Sequence, residues 1–203
     1  MTSLVLVHGG LYEGMTPDRF WHGPGVVRGL EEAGLVVATP ARIARPTSWL
    51  EEAAHLAAAI ADRDAVIVGG SNGCSAVLRL ALDDGVGSRL VLCWPATGGD
   101  PLADDVARMG MRAASVPDHV IDVLLAGGTI RGVTDEELAR LPVAVSIIPS
   151  EPENPLHTSA TVARLAALLP QAHVHPGFPE PPDPRFPPRC DEFVAELILA
   201  STA

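Results

Sequence analysis

The sequence predicts an α/β protein, a doubly wound and mostly parallel sheet of about six strands. Two patterns predict it. Short, continuous apolar runs recur along the chain, as expected of strands covered by helices on both faces, and segments of helical periodicity fall between them. A third observation fixes one of the junctions: Val66-Ile-Val-Gly-Gly-Ser-Asn-Gly73 carries an apolar run straight into a Gly-x-Ser-x-Gly turn. A helical run begins at once behind that turn, with Val77, Leu78, Ala81 and Leu82 apolar.

Taken in order, the strands are expected at Ser3-Val7, Leu35-Ala38, Asp64-Val68, Arg89-Trp94, Val143-Ile148 and Ala172-His175. Helices are expected at Gly25-Ala33, Ser48-Ile60, Gly73-Asp83, Thr158-Leu169 and Glu192-Leu199. Two segments break the alternation. Residues 100–140 hold up to three short helices (Pro101-Met111, Pro117-Ala126, Thr134-Arg140), an insertion of the size of a small lid over a site. Residues 176–189 contain seven prolines and are read as a rigid ordered loop. The 203 residues are expected to form a single domain, 1–203, with the 100–140 insertion inside it.

Composition narrows the chemistry. All fourteen basic residues are arginine, so lysine Schiff-base or lysine general-base mechanisms are excluded. A net charge of −11 argues against nucleic acid or an anionic membrane as partner. Three scattered cysteines (Cys74, Cys93, Cys190) give neither a disulfide framework nor zinc-ligand spacing. No apolar run is long enough for a transmembrane helix and no signal peptide fits, so the cytoplasm is the expected compartment. No metal or organic cofactor is implied, the expected partner is a small-molecule substrate, and the oligomeric state stays open.

The glycine–serine turn carries the chemical content. Such a turn holds a serine at the tip of a strand in a strained backbone conformation. The residues two before and two after, Gly69 and Gly73, must lack a Cβ so that strand and helix can approach. The first strand ends in His8-Gly9-Gly10-Leu11, a turn whose N–H groups can face a developing oxyanion. With these motifs, the lid-length insertion and the strand Arg89-Leu-Val-Leu-Cys-Trp-Pro, the chain resembles a short α/β-hydrolase-fold protein.

The resemblance implies a Ser71 nucleophile with an oxyanion hole from the N–H of Asn72 and that of Gly10 or Leu11. It implies an acid after the penultimate strand and a histidine after the last one. The chain departs from both. At the usual acid position stands Asn154, with Glu153 beside it as the preferred acid. Where the late histidine belongs, the chain reads Pro-Gly-Phe-Pro-Glu180. His157 is the preferred base and His175 the alternative. If no histidine serves, Glu180 or Glu153 acts directly. Tyr12 and Trp94, near the strand ends, are expected to shape the substrate pocket, Trp94 alternatively anchoring the core.

The function this supports is a small soluble serine hydrolase of esterase, thioesterase or lactonase type acting on a small apolar carbonyl substrate. A non-hydrolytic enzyme (cyclisation, lyase or isomerase) on the same fold, or an inactive ligand-binding relative, are the alternatives.

Overall fold

The computed structural model describes residues 3–169, 171–181 and 183–202. Six parallel strands pair in the order β2-β1-β3-β4-β5-β6: β1 Ser3–Val7, β2 Val36–Ala38, β3 Val66–Gly70, β4 Arg89–Cys93, β5 Ala144–Ile148 and β6 His173–Val174. The chain starts at β1, turns out to β2, then crosses back to β3 and runs in one direction. The reversal opens a crevice at the carboxyl ends of β1 and β3, where ligands of open α/β sheets bind.

Alternate strand residues feed two apolar layers. Leu4, Leu6, Val66, Val68, Val91 and Cys93 face α1 (Val26–Glu32) and α8 (Cys190–Ala200). Val5, Val7, Ile67, Leu90, Leu92 and Ile147 face α2 (Trp49–Ala59), α3 (Gly73–Asp84) and α7 (Ser159–Leu168). Both faces of the central strands β1, β3, β4 and β5 are therefore dry, which is why those strands read as continuous rather than alternating apolar runs. Side-chain caps start four of the helices: Ser48 on α2, Thr158 on α7, Asp100 on α4 (Pro101–Ala113) and Thr134 on α6 (Asp135–Leu138) each accept from an N–H of the first turn.

Between β4 and β5 stand α4 (Pro101–Ala113), α5 (Asp118–Leu125) and the short α6 (Asp135–Leu138), the latter opened by a Thr134–Glu137 capping box. An isolated bridge from Thr97 to Ile130 ties the segment before α6 to the stretch after β4, and two more (Gly127 to Arg131, Ile130 to Val133) fold that segment on itself.

Three differences from expectation matter for the site. First, β3 extends to Gly70, two residues beyond the expected end, because Gly69 and Gly70 stay in register with Leu92 and Cys93. Second, β6 is two residues long, but its line continues: His175 N–H donates to Ile147 O and Phe178 N–H to Pro149 O, so residues 175–178 run on beside β5. Third, a turn of π-helix at Asp18–His22 buries Phe20 and Trp21 where the sequence suggested a loop. Trp94 is fully buried, stacked on Phe193 at 4.9 Å, and its indole N–H donates to Phe178 O at 2.8 Å. It is a core anchor and not a substrate wall. It has a second consequence, since it pins the proline-rich segment to the sheet.

Candidate active site

Ser71 sits at φ 52°, the left-handed region that a side chain rarely enters. The glycines on either side make that turn possible. A Cβ on Gly73 would lie 2.6 Å from Val7 O, and one on Gly69 would lie 2.9 Å from the Cys74 backbone. Strand and helix thus touch backbone to backbone, and the strain is held by packing. Ser71 N–H also donates to Cys93 O at 2.9 Å, which locks the turn to the next strand.

The Oγ of Ser71 lies 2.9 Å from Nε2 of His157. His157 is buried and follows β5, in a tight turn where Asn154 and His157 exchange backbone hydrogen bonds. Its other nitrogen, Nδ1, meets two oxygens. Asn154 Oδ1 accepts from it at 3.2 Å, and Glu180 Oε1 stands 2.5 Å away. The Nδ1–H axis leans toward Asn154, so Glu180 Oε1 approaches closely but off that axis. Glu180 Oε1 is shielded from solvent. The carboxylate reaches this place because residues 175–178 are paired to β5 and Trp94 fixes Phe178, two residues before it.

The structure does not bring Glu153 to the histidine. Its carboxylate accepts from Ser159 N–H at 2.6 Å, at the start of α7, and that bond holds the exposed carboxyl below its usual range. The Asn154–His157 turn points residue 153 away, so the place expected for Glu153 belongs to Glu180. His175 is not at the site either: its Nδ1 pairs with Glu196 Oε1 at 2.7 Å, against α8.

Across the site runs the loop after β1, with Gly10 at φ 81°. Among the described residues, the N–H groups of Gly10, Leu11 and Asn72 donate to no other group. A buried ion pair holds the loop in place. Arg42 Nε meets Glu52 Oε2 at 2.5 Å, while Arg42 Nη1 donates to His8 O at 3.1 Å and Gly10 O at 2.8 Å. His8 is part of this scaffold. Burial, opposed by its bond to Gly9 O and helped by Arg42, lowers its pKa to about 4, so it is neutral at pH 7.

Ser71, His157 and Glu180 open into a cavity of about 390 Å³ walled by Leu11, Tyr12, Met15, Val106, Met111 and Leu156. Tyr12 lines it as expected, its hydroxyl donating to Pro46 O. Val106 and Met111 come from α4, so the 100–140 insertion supplies one wall. Two charged residues of the cavity carried no functional reading from sequence. Glu13 is exposed at the mouth. Its carboxyl is pushed up by desolvation and by Glu180, against the opposing pull of His157 and Arg19. Arg131 is buried and donates to Asn72 Oδ1 at 3.1 Å. The glycines around it (Gly98-Gly99 and Gly127-Gly128) were the available signal, since paired glycines mark close backbone approach. Among the described residues, no cluster of three or more His, Cys, Asp or Glu side chains is placed to hold a metal ion. No helix there is long and apolar enough to cross a membrane.

The architecture is that of the α/β-hydrolase fold, and comparison with solved structures agrees. An extracellular α/β-hydrolase from a Paenibacillus species superposes with a TM-score of 0.73 at 12% identity, over 100% of both chains. A meta-cleavage product hydrolase from Pseudomonas fluorescens IP01 gives 0.69 at 16% identity, over 98% of this chain and 90% of that one. Est816, described as an N-acyl homoserine lactone degrading enzyme, gives 0.66 at 17% identity, over 100% and 93%. No protein-family model matches the chain, and no curated protein matches it by sequence. These likenesses establish the fold.

Proposed function

We propose that this chain is a serine hydrolase that cleaves a small carboxylic ester, thioester or lactone. The observation that carries the reading is the row Ser71 Oγ, His157 Nε2 at 2.9 Å, then His157 Nδ1 with Glu180 Oε1 at 2.5 Å. Ser71 Oγ attacks the carbonyl carbon while its proton passes to Nε2. The negative charge moves to the carbonyl oxygen, which receives the free N–H groups of Asn72 and of Gly10 or Leu11. Collapse of the tetrahedral species expels the alcohol or thiol, which takes the proton from Nε2. Water then repeats the sequence on the acyl-enzyme and frees the acid.

Asn154 and Glu180 divide one task. The amide oxygen orients the ring and keeps the proton on Nδ1. The carboxylate supplies the negative charge that an amide lacks, so the imidazolium is stabilised when it forms. The non-hydrolytic alternative would use Glu180 or His157 for proton transfer. The Oε1 of Glu180 is shielded from solvent against His157, which supports the relay over direct proton transfer by Glu180. The cavity walls suit a small apolar acyl or alkyl group, and a lactone, like the substrate class named for Est816, would suit the same chemistry.

A fluorophosphonate probe is expected to label the protein at Ser71, and Ser71→Ala is expected to abolish both labelling and turnover of short-chain p-nitrophenyl esters. Normal folding with no labelling of the unsubstituted protein would count decisively against the reading.

A further inference from the structure

Arg131 sits where a buried cation is hard to explain by packing alone. Its side chain is only 2% exposed, yet it borders the cavity that holds Ser71. The segment around it is built to deliver it there. Gly127 pairs with Arg131, Ile130 pairs with Thr97 and Val133, and a Cβ on Gly98 would lie 2.8 Å from Arg131 N. The guanidinium is poorly neutralised once in place. Among the described residues its single carboxylate contact is Asp104 Oδ1 at 3.4 Å, on a side chain that is itself 25% exposed. Nη2 also donates to Ala103 O at 3.3 Å, and Nε is buried with no acceptor among the described residues. Burial accordingly pulls the guanidinium pKa down, with Asp104 opposing. A buried, incompletely paired cation costs stability, so its retention beside a reacting atom asks for a compensating charge.

The remaining contact shows where that charge appears. Nη1 donates at 3.1 Å to the side-chain oxygen of Asn72, the residue immediately after the nucleophile. Asn72 makes no side-chain cap on α3, so its side chain is committed to Arg131 and not to its own helix. Glu13 and Glu180 line the same cavity, but among the described residues neither forms an ion pair or hydrogen bond with Arg131 or Asn72. A negative charge comes next to this pair when the carbonyl oxygen becomes an oxyanion at the Asn72 N–H.

We infer that Arg131 is a positioning residue for the oxyanion site: it fixes Asn72 through its side chain and completes its own charge balance when the tetrahedral anion forms. The inference rests on the serine-hydrolase reading. It gives Arg131 a preference for the tetrahedral state over the neutral ground state, which is what acceleration of the chemical step requires.

The test separates the two states. Phenylboronic acid adds to Ser71 Oγ as a tetrahedral anion, whereas a neutral p-nitrophenyl ester bound to the Ser71→Ala protein reports the ground state. Arg131→Met is expected to weaken phenylboronic acid binding about 30-fold and to lower kcat by a similar factor, with KM and ester affinity within about threefold. Arg131→Lys, which keeps the charge but not the fork, is expected to recover part of the loss. Equal losses for boronate and ester would reduce Arg131 to a scaffold residue and overturn the inference, as would unchanged boronate affinity. Should thermal melting show Arg131→Met unfolded, Asn72→Ala cuts the same contact while keeping the backbone N–H. It is then expected to weaken boronate selectively and to be non-additive with Arg131→Lys; additive effects refute the coupling. Failure of the unsubstituted protein to bind boronate or react with a fluorophosphonate overturns the hydrolase reading itself. Normal labelling with Arg131-independent boronate affinity overturns this inference alone.

Discussion

Glu180→Gln isolates a charge while keeping the shape of the side chain. In the structure the carboxylate approaches Nδ1 off the N–H axis, and Asn154 Oδ1 already accepts along it. The substitution should therefore leave the ring oriented and remove only the charge opposite the imidazolium. Two unit charges centred about 4 Å apart in a partly shielded site, at an effective dielectric near 20, attract by about 4 kcal/mol. At roughly 1.4 kcal/mol per decade, kcat should fall about 10³-fold if the full attraction is expressed in the transition state. KM should change little, because the carboxylate lies behind the ring and its charge matters most where positive charge builds on the imidazole in the transition state. Steady-state kinetics with a p-nitrophenyl ester reads both parameters, and a thermal melt confirms folding. Glu153→Gln is the matched control: its carboxyl caps α7 at the surface, so kcat should stay within about twofold. A fall of less than about tenfold for Glu180→Gln, or a comparable fall for Glu153→Gln, would refute the assignment of the charge to Glu180.

Two further outcomes follow from the scaffold of the β1 loop. The folded protein resists protonating His8 until about pH 4, whereas an unfolded histidine takes its proton near 6.5. The unfolded state thus binds the extra proton between those values, and stability contributed by neutral His8 is full above pH 6.5 and lost as the pH falls toward 4. The loss should be about 2.5 kcal/mol between pH 7 and 4.5, read as the difference between urea melts of the unsubstituted protein and of His8→Gln. Parallel pH dependences of the two would contradict it. Glu52→Ala should destabilise by about 3–5 kcal/mol, because it strands Arg42 as a buried cation and releases the Ile43 N–H. Surviving variant should also react more slowly with the fluorophosphonate, since Arg42 holds Gly10 O; an unchanged labelling rate would detach that ion pair from the loop geometry.

The fold was legible because its signals are local and agree with one another. Each strand is an apolar run, the Gly69-Ser71-Gly73 turn can be built only between a strand and a helix in contact, and His8-Gly9-Gly10 marks the facing loop. Ser71 and His157 were legible for the same reason, each being tied to the carboxyl end of a strand. Glu153 drew attention by standing next to Asn154, yet chain neighbours in a tight turn point in different directions, and that one reaches Ser159. Glu180 lies 23 residues beyond His157, and what carries it back is a strand of two residues continued by irregular pairing and pinned by Trp94. None of that pairing leaves a periodic trace. Arg131 was harder to read for a related reason: the paired glycines mark a close backbone approach, but its contact is with Asn72, on a distant element, which nothing in Thr-Ile-Arg-Gly-Val announces.

Imidazole and carboxylate have traded loops here: the ring follows β5 and the carboxylate follows the line of β6, the reverse of the order the resemblance implies. The sequence of bonds from oxygen to ring to carboxylate is nevertheless preserved, so chemistry constrains the constellation and leaves the itinerary of the chain free. A search for relatives keyed to a late histidine would discard this chain as a degenerate copy. One keyed to Gly-x-Ser-x-Gly, then Asn-x-x-His after the penultimate strand, then Phe-Pro-Glu past the last, would recognise it by the groups its geometry brings together.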